Sequence, residues 1–292
     1  MDHSNPAGEF AVSKEHLDQA LDIYDPQLHH SHTFLYGGHD PGACCRIQRG
    51  YVLWYLGYPD QALKSAQEGI ALAQTLSHPY SLAMTFEGSA MISQFCRNFR
   101  GTLQRADTVI AIAREHGLSV PGAVCTLYRG WALAEQGNEA EGLSEMLRGL
   151  AAYRASGASL GLPYQLARFA EVYSRIGQVQ EGLNSLTEAL ALTEKTGDRR
   201  WLAELHRLKG VLTLQSHGGF QHEAEESFQR AISIARGQHA KSVELRATTS
   251  LARLLADQGR RDEARTMLAG IYNWFTEGFD TADLMNFDDQ NR

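Results

Sequence analysis

This sequence of 292 residues lacks long apolar runs, a signal peptide and a surplus of basic residues. Its apolar stretch YVLWYLGY (51–58) falls far short of the roughly 18 residues that a membrane span needs. The formal net charge of −7 argues against nucleic acid, whose phosphates require a basic protein surface. The first residues, MDHSNPAGEF, have neither a basic start nor an apolar run. We therefore expect a cytoplasmic protein that binds neither membranes nor nucleic acid.

Cysteine is also scarce, with four residues in the whole chain. Cys44, Cys45, Cys96 and Cys125 do not make a disulfide scaffold at this length, and their apolar neighbours indicate buried, reduced thiols. The adjacent pair lacks the C-x₂₋₄-C spacing of a zinc site, so no metal or other cofactor is expected. Apolar residues make up 43% of the chain, which is enough for a sizeable core.

Small residues, in contrast, recur at a nearly constant interval of 40 residues. One series falls on the first helix of each predicted hairpin, at Gly50, Ala90, Gly130, Ala170, Gly210 and Ala252. A matching series falls on the second helix, at Ala62, Thr102, Gly142, Gly182, Ala224 and Ala264. Turn residues lie between the two series at Gly57, Asn98, Gly137, Gly177, Gly218-Gly219 and Gly259. Self-similarity at this period predicts a solenoid of helical hairpins.

We therefore predict an all-α fold, a right-handed superhelix of tetratricopeptide-like hairpins. The predicted division is a leader that is tag-derived or disordered, a half repeat with a His/Gly-rich connector, six hairpins, and a capping segment with a polar tail, at 1–13, 14–42, 43–272 and 273–292. The tetrapeptide DQAL occurs at 18–21 and again at 60–63. The helix expected over 14–25 would thus be the second helix of an incomplete repeat, which indicates a fragment of a larger protein.

Several whole segments carry a more specific resemblance. They are LYGGHDPG (35–42), LGYPDQAL (56–63), GWALAEQG (130–137), LAELHRLKG (202–210), AKSVELRATTSLARL (240–254) and WFTEGFDTADL (274–284). These segments resemble the C-terminal tetratricopeptide-repeat region of large bacterial signalling proteins. Such proteins carry a predicted AAA-type ATPase, often behind an adenylate/guanylate cyclase domain, and belong with the STAND and LuxR-like regulators.

The resemblance implies a sensor or partner-docking arm on an ATPase switch. Its partner would be a protein or peptide, or the upstream ATPase and cyclase domains of a parent protein. No GxxxxGK[ST] phosphate loop occurs in this sequence, so neither ATPase nor cyclase activity carries over. We predict a non-catalytic protein–protein interaction or sensor module, with small-molecule sensing as one alternative. Apolar surface left by the leading helix and near the tail also makes self-association possible.

A concave groove lined by the first helices is the expected binding surface. Aromatic anchors lie towards its N-terminal half and arginines towards its C-terminal half, which suits an extended peptide or a partner helix. The candidate residues are Tyr51, Trp54, Tyr55, Phe95, Trp131, Tyr164, Arg175, Arg207, Arg246 and Arg253. The competing interpretation is that the aromatic residues are core and the charged residues a solvated inner face.

Two catalytic alternatives also follow from short patterns. GASLG (157–161) matches the G-x-S-x-G nucleophile elbow of hydrolases, which would make Ser159 a nucleophile. That elbow needs a strand before the serine, whereas the residues before it read as helix, so an ordinary turn is favoured. A second alternative is a metal held by imidazole and carboxylate groups, drawn from His29, His30, His32, His39 and Asp40. We favour a packed connector for this cluster.

Overall fold

The structure is a computed structural model that describes residues 9–34, 38–216 and 220–288. All regular elements in these ranges are α-helices or short 3-10 helices. The α-helices are α1 Phe10–Ile23, α2 Pro26–His29, α3 Pro41–Tyr55, α4 Pro59–Thr75, α5 Pro79–Phe95, α6 Phe99–His116, α7 Ser119–Glu135, α8 Glu139–Ala155, α9 Leu162–Arg175, α10 Val179–Thr196, α11 Leu202–Gln215, α12 Gln221–Gly237, α13 Lys241–Asp257, α14 Arg261–Tyr272 and α15 Ala282–Asp288.

Helices α3 to α14 form six consecutive hairpins, and in all but the fifth, whose connection includes residues outside the described ranges, a turn of three residues joins the two helices. Gly137 occupies the turn between α7 and α8 with a φ of +90°, a conformation that glycine adopts without steric cost. In the turn between α5 and α6, Arg97 takes this conformation with a φ of 58°, and the Asn98 side chain caps α6 by accepting from the Gly101 amide at 2.8 Å. The all-α fold of tetratricopeptide-like hairpins is therefore confirmed.

The small residues of the repeat allow the two helices of a hairpin to touch through their backbones. A Cβ on Gly130 of α7 would lie 2.5 Å from the carbonyl oxygen of Gly142 on α8, and a Cβ on Gly142 would lie 2.5 Å from the carbonyl oxygen of Gly130. A Cβ on Gly149 would lie 2.9 Å from the Leu127 amide nitrogen. Real Cβ atoms do not approach other heavy atoms so closely, so larger residues would force these helices apart.

The described residues fall into two compact units. Unit 1 contains residues 11–34, 38–54 and 59–160, and therefore most of α1 and α3 together with α2 and α4 to α8. Unit 2 contains residues 9–10, Tyr55–Tyr58 and the described chain from Gly161 onwards, with α9 to α15.

The two ends of the chain contain more helix than the sequence analysis expects. Helix α1 begins at Phe10, inside the segment set aside as a leader, because Phe10 is buried with 2% of its surface exposed. The connector contains α2 and a 3-10 helix over His30–Phe34. Helix α15 extends into the segment predicted to be a polar tail. The expectations for residues 1–8, 35–37, 289–292 and the Gly218-Gly219 turn lie outside the described residues.

All four cysteines are free thiols, of which Cys44 is half-buried and the other three are buried. In the parts of the chain that the structure describes, no helix is both long enough and apolar enough to cross a membrane.

Candidate interaction site on the first helices

Three of the aromatic residues predicted to line the groove lie in the core of unit 1. Trp54 stacks on Phe95 with ring centroids 4.5 Å apart, and Tyr51 meets the same Phe95 ring edge-on at 6.0 Å. Trp54, Phe95 and Trp131 expose 3%, 2% and 0% of their surface, whereas Tyr51 is half-buried. The structure thus places Trp54, Phe95 and Trp131 between helices, where they stabilise the hairpins.

A second aromatic cluster lies in unit 2 and contains Tyr55 and Tyr164. The Trp201 ring centroid lies 6.1 Å from that of Tyr55 and 4.6 Å from that of Tyr164. Phe10 stacks on Tyr55 at 4.1 Å with the ring planes 8° apart. All four side chains are buried, and burial holds the pKa of Tyr55 well above its ordinary value. These two predicted groove residues are therefore also core residues.

Buried charges follow the aromatic cluster along the first helices of unit 2. Arg168 of α9 exposes 2% of its surface. Its Nη1 lies 3.2 Å from Oε2 of Glu171 and its Nη2 lies 3.4 Å from Oε1 of Glu204. The guanidinium carbon also lies 4.9 Å from the ring centroid of Tyr164, a distance at which a cation and an aromatic face attract. This residue therefore links the aromatic cluster to the carboxylates of α9 and α11.

Glu204 and Arg207, one turn apart on α11, form a bidentate pair. Arg207 donates from Nε to Oε2 at 2.8 Å and from Nη2 to Oε1 at 2.7 Å. Burial alone would raise the pKa of Glu204, but Arg207, with smaller contributions from Arg246 and Arg168, lowers it to about 2. The carboxylate is therefore ionised at neutral pH, and the pair is a fixed part of the unit.

Arg246 of α13 holds the last helix of the described chain. Its Nε and Nη2 lie 2.8 Å and 2.7 Å from Oδ2 of Asp283 on α15. The Arg246 side chain exposes 6% of its surface and the Asp283 side chain 17%. Both predicted arginines, Arg207 and Arg246, are thus already engaged with acidic residues of unit 2.

Arg175 and Arg253 are the predicted arginines that remain exposed. Although Arg253 is exposed as a residue, desolvation lowers the pKa of its guanidinium, and repulsion from Arg207 lowers it further. We use the name arginine stripe for the set of basic residues on the first helices of unit 2, namely Arg168, Arg175, Arg207, Arg246 and Arg253.

Ser159 does not have the surroundings of a hydrolase nucleophile. It is exposed in the turn that follows α8, so the segment before it is a helix and no strand presents it on an elbow. Gly157 and Gly161 adopt φ values of +77° and +73°, as expected of residues that end and begin helices. Tyr153 donates its hydroxyl to the carbonyl of Leu160 at 2.5 Å, which ties the turn to α8. The structure places Ser159 in an ordinary turn.

The His/Asp cluster is engaged in capping and packing. The Asp25 amide donates to Nδ1 of His29 at 2.8 Å, and Nδ1 of His30 lies 3.4 Å from Oδ2 of Asp40. Asp40 is itself fully buried and caps α3 by accepting from the Ala43 amide at 2.9 Å. Within the described ranges, no group of three or more His, Cys, Asp or Glu residues is arranged to hold a metal ion.

Comparisons with known proteins show the fold and a distant relative. No family model matches the sequence. An uncharacterized protein of Rhizobium meliloti (strain 1021) is 26% identical over 248 residues, a match that covers 85% of this chain and 24% of that protein. This chain therefore spans about a quarter of the length of that relative.

Two solved structures share the arrangement of helices at low identity. The crystal structure of aspartyl phosphate phosphatase F from Bacillus subtilis has a TM-score of 0.59 at 10% identity, over 95% of this chain and 67% of that one. The apo form of RapI has a TM-score of 0.59 at 12% identity, over 97% and 90%. At such identities the likeness shows the helical-repeat fold alone.

Sequence reasoning missed three residues that define this site. Phe10 lies in the segment predicted to be a leader, and Trp201 lies just before α11 begins at Leu202. Arg168 lies between Ala167 and Phe169 on α9, and these apolar neighbours were the available signal. An arginine within an apolar stretch of helix is buried only with partners, which here are Glu171 and Glu204.

Proposed function

We propose that this chain is a non-catalytic interaction module that binds an acidic segment of a partner protein on the arginine stripe. The observation that carries the proposal is the succession of arginines on the first helices of unit 2, where Arg207 also lies 3.5 Å from the hydroxyl of Ser250 on α13, three residues before Arg253. Glu204 is shared between Arg207 and Arg168, and Arg253 adds a further positive charge beside them. A carboxylate of a partner would balance part of this positive charge.

Arginine suits such recognition because its planar guanidinium can hold a carboxylate through two parallel hydrogen bonds. The roles along the stripe differ. The buried members Arg168, Arg207 and Arg246 fix the charge pattern, since their own acidic partners hold them in place. The exposed members Arg175 and Arg253 are the ones that a partner reaches first. We then expect most of the binding energy where the buried and the exposed arginines of the stripe adjoin.

We further propose that the module belongs to a cytoplasmic bacterial signalling protein. The distant relative is bacterial and much longer than this chain, and the repeat segments resemble docking arms of ATPase-containing regulators. The acidic partner segment would come from a separate protein or from the upstream domains of a parent protein.

The test is a fluorescence anisotropy titration of the purified chain with labelled peptides of equal length, matched apolar content and graded net charge. We expect affinity to increase with the number of Asp and Glu residues and to fall with added salt, because exposed charges are screened. Arg253→Gln and Arg175→Gln should each weaken binding of the acidic peptide.

Arg265→Gln is the matched control, because Arg265 is an exposed arginine on a second helix, α14. The acidic peptide should bind Arg265→Gln as tightly as it binds the unchanged chain. Equal affinity for acidic and basic peptides, or equal losses in all three variants, would contradict the proposal.

A further inference from the structure

A small cavity in unit 1 contains a carboxyl oxygen that has no partner. The cavity lies between α3 and α5, has a volume of about 50 Å³, and has Ile47, Tyr51, Met84 and Glu87 among its lining residues. Oε2 of Glu87 is buried and has no hydrogen-bond partner among the described residues. A buried carboxyl oxygen without a partner is costly, and the cavity beside it gives space for a hydrogen-bond donor.

Three of the other polar residues that line this cavity are bonded within the protein. Asp40 accepts hydrogen bonds from the Tyr24 hydroxyl at 2.9 Å and from the Ala43 amide at 2.9 Å. Ser81 Oγ accepts from the Asp40 amide at 2.8 Å. The Thr85 hydroxyl donates to the Ser81 carbonyl at 2.6 Å. These hydrogen bonds hold the walls of the cavity in place. Glu87 is the lining acid with a carboxyl oxygen that has no hydrogen-bond partner among the described residues.

The surroundings of Glu87 supply little positive charge. Burial raises the pKa of Glu87 to about 8. Burial also raises the pKa values of Tyr80, Cys125 and Tyr153, and the charge of Glu87 raises them further. The remaining titratable groups at the cavity are His39, Asp40, Cys44 and Tyr51. Apart from His39, none of these seven side chains can carry a positive charge. A cation that pairs with Glu87 therefore has to be supplied by a ligand.

We propose that this cavity binds a primary ammonium group, carried either by a free small amine or by a lysine side chain of a partner. Its N–H groups would donate to Oε2 of Glu87. The Tyr51 hydroxyl also lines the cavity and lies close to α5, 2.9 Å from where a Cβ on Gly88 would lie. A volume of about 50 Å³ suits a group of a few heavy atoms and therefore favours a primary ammonium over a bulkier quaternary head.

Binding is accompanied by a proton exchange that can be measured. At pH 7 the Glu87 carboxyl is mostly protonated, since its pKa lies near 8, while a free primary amine is a cation. When the ammonium enters, the O–H bond of Glu87 breaks and the proton leaves to solvent, which produces a carboxylate–ammonium pair. About one proton is therefore released per amine bound at pH 7, and affinity increases as the pH rises towards 8. This inference is independent of the acidic-segment proposal, because it concerns unit 1 and the opposite ligand charge.

The experiment is isothermal titration calorimetry of the full chain with ethylamine and, separately, with a capped Gly-Lys-Gly peptide. Each titration is made in two buffers of different ionisation enthalpy, so that the heat difference gives the number of protons released. Glu87→Gln keeps the shape of the side chain and removes its charge. Glu115→Gln, at an exposed position of α6, is the control, and tetramethylammonium tests the size limit.

We expect binding with release of about one proton for the unchanged chain and for Glu115→Gln, at least a tenfold loss in Glu87→Gln, and no binding of tetramethylammonium. Response to ethylamine alone identifies a free amine as the ligand, and response to both probes identifies an accessible lysine site. No response to either probe would mean that the cavity holds water, which would overturn the proposal. Binding of equal strength by Glu87→Gln, or binding without proton release, would also overturn it. Thermal unfolding of each variant shows whether it is folded.

Discussion

Two buried glutamates show how neighbours decide the state of one type of side chain. Glu204 lies against Arg207 and has its pKa lowered to about 2 despite burial. Glu87 lies in a cavity without a bonded cation and has its pKa raised to about 8. Glu204 is therefore ionised and structural at neutral pH, whereas Glu87 is mostly neutral. Their effects on stability should consequently have opposite pH dependences.

Replacement of Glu204 by Gln should destabilise the protein strongly near pH 7. It leaves Arg207 without Glu204 and removes one of the two carboxylates that neutralise Arg168, and breaking a buried ion pair in this way costs about 3–5 kcal/mol. Because the folded pKa is lowered, this contribution is present above the ordinary pKa of 4.5 and is lost as the pH falls through about 2. Urea unfolding should show that the difference in unfolding free energy between Glu204→Gln and the unchanged chain becomes smaller as the pH falls through this range. The exposed control Glu226→Gln should change little, and a gap for Glu204→Gln that is constant with pH would contradict this assignment.

Glu87→Gln should gain stability relative to the unchanged chain as the pH rises. Without a ligand, the folded state keeps a proton on Glu87 that the unfolded state releases above its ordinary pKa of 4.5. The unchanged chain therefore loses stability between about pH 4.5 and about pH 8, and the loss then levels off. Glu87→Gln has no carboxyl group that titrates in this range. Its melting temperature relative to that of the unchanged chain should therefore increase as the pH rises from about 4.5 to about 8. A melting-temperature difference that does not vary with pH would show that Glu87 ionises normally. The exposed control Glu115→Gln should show such a constant difference.

At the scale of elements, the contact between α7 and α8 depends on small residues. Gly142→Ala should cost about 1–3 kcal/mol, because the new methyl would meet backbone rather than a movable side chain. Gly270→Ala on α14 is the matched control, since a Cβ there meets nothing within 4 Å. It should stabilise by about 0.5–1 kcal/mol through helix propensity. Chemical denaturation measures both, and similar effects of the two substitutions would argue against a special contact at Gly142.

Helix α15 is held by the ion pair between Arg246 and Asp283. Asp283→Asn should weaken that pair and increase amide hydrogen exchange in α15, while exchange in α9 to α12 stays unchanged. Asp280→Asn, at an exposed position just before the helix, is the control and should leave exchange as it is. Unchanged protection of α15 in Asp283→Asn would mean that apolar contacts such as Leu284 hold the helix alone.

The hairpin fold could be predicted from the sequence because the spacing of small residues reports directly on helix contacts, as at Gly130 and Gly142. The site could be predicted only in part. Helical periodicity places Trp54 and Trp131 on a particular face, but it does not tell whether that face meets another helix or solvent, and the structure buries both. The pairing of Arg246 with Asp283 joins residues from distant elements, for which a single sequence offers no signal.

At the scale of the whole molecule, the two units present different chemistry. Unit 1 combines an apolar core with one unpaired carboxyl oxygen in a cavity. Unit 2 carries the arginine stripe, whose buried members are paired with acids and whose exposed members are Arg175 and Arg253. A partner that engages both would need an acidic segment and a primary ammonium group. The acidic segment is the feature on which the proposed function depends.

The most direct test of that function is a hydrogen-exchange footprint of the full chain in the presence of the tightest acidic peptide from the charge series. The account predicts slower exchange in α9, α11 and α13, which carry the arginine stripe, and loss of this protection in Arg253→Gln but not in Arg265→Gln. Protection confined to the second helices or to unit 1, or protection that Arg253→Gln leaves intact, would contradict it.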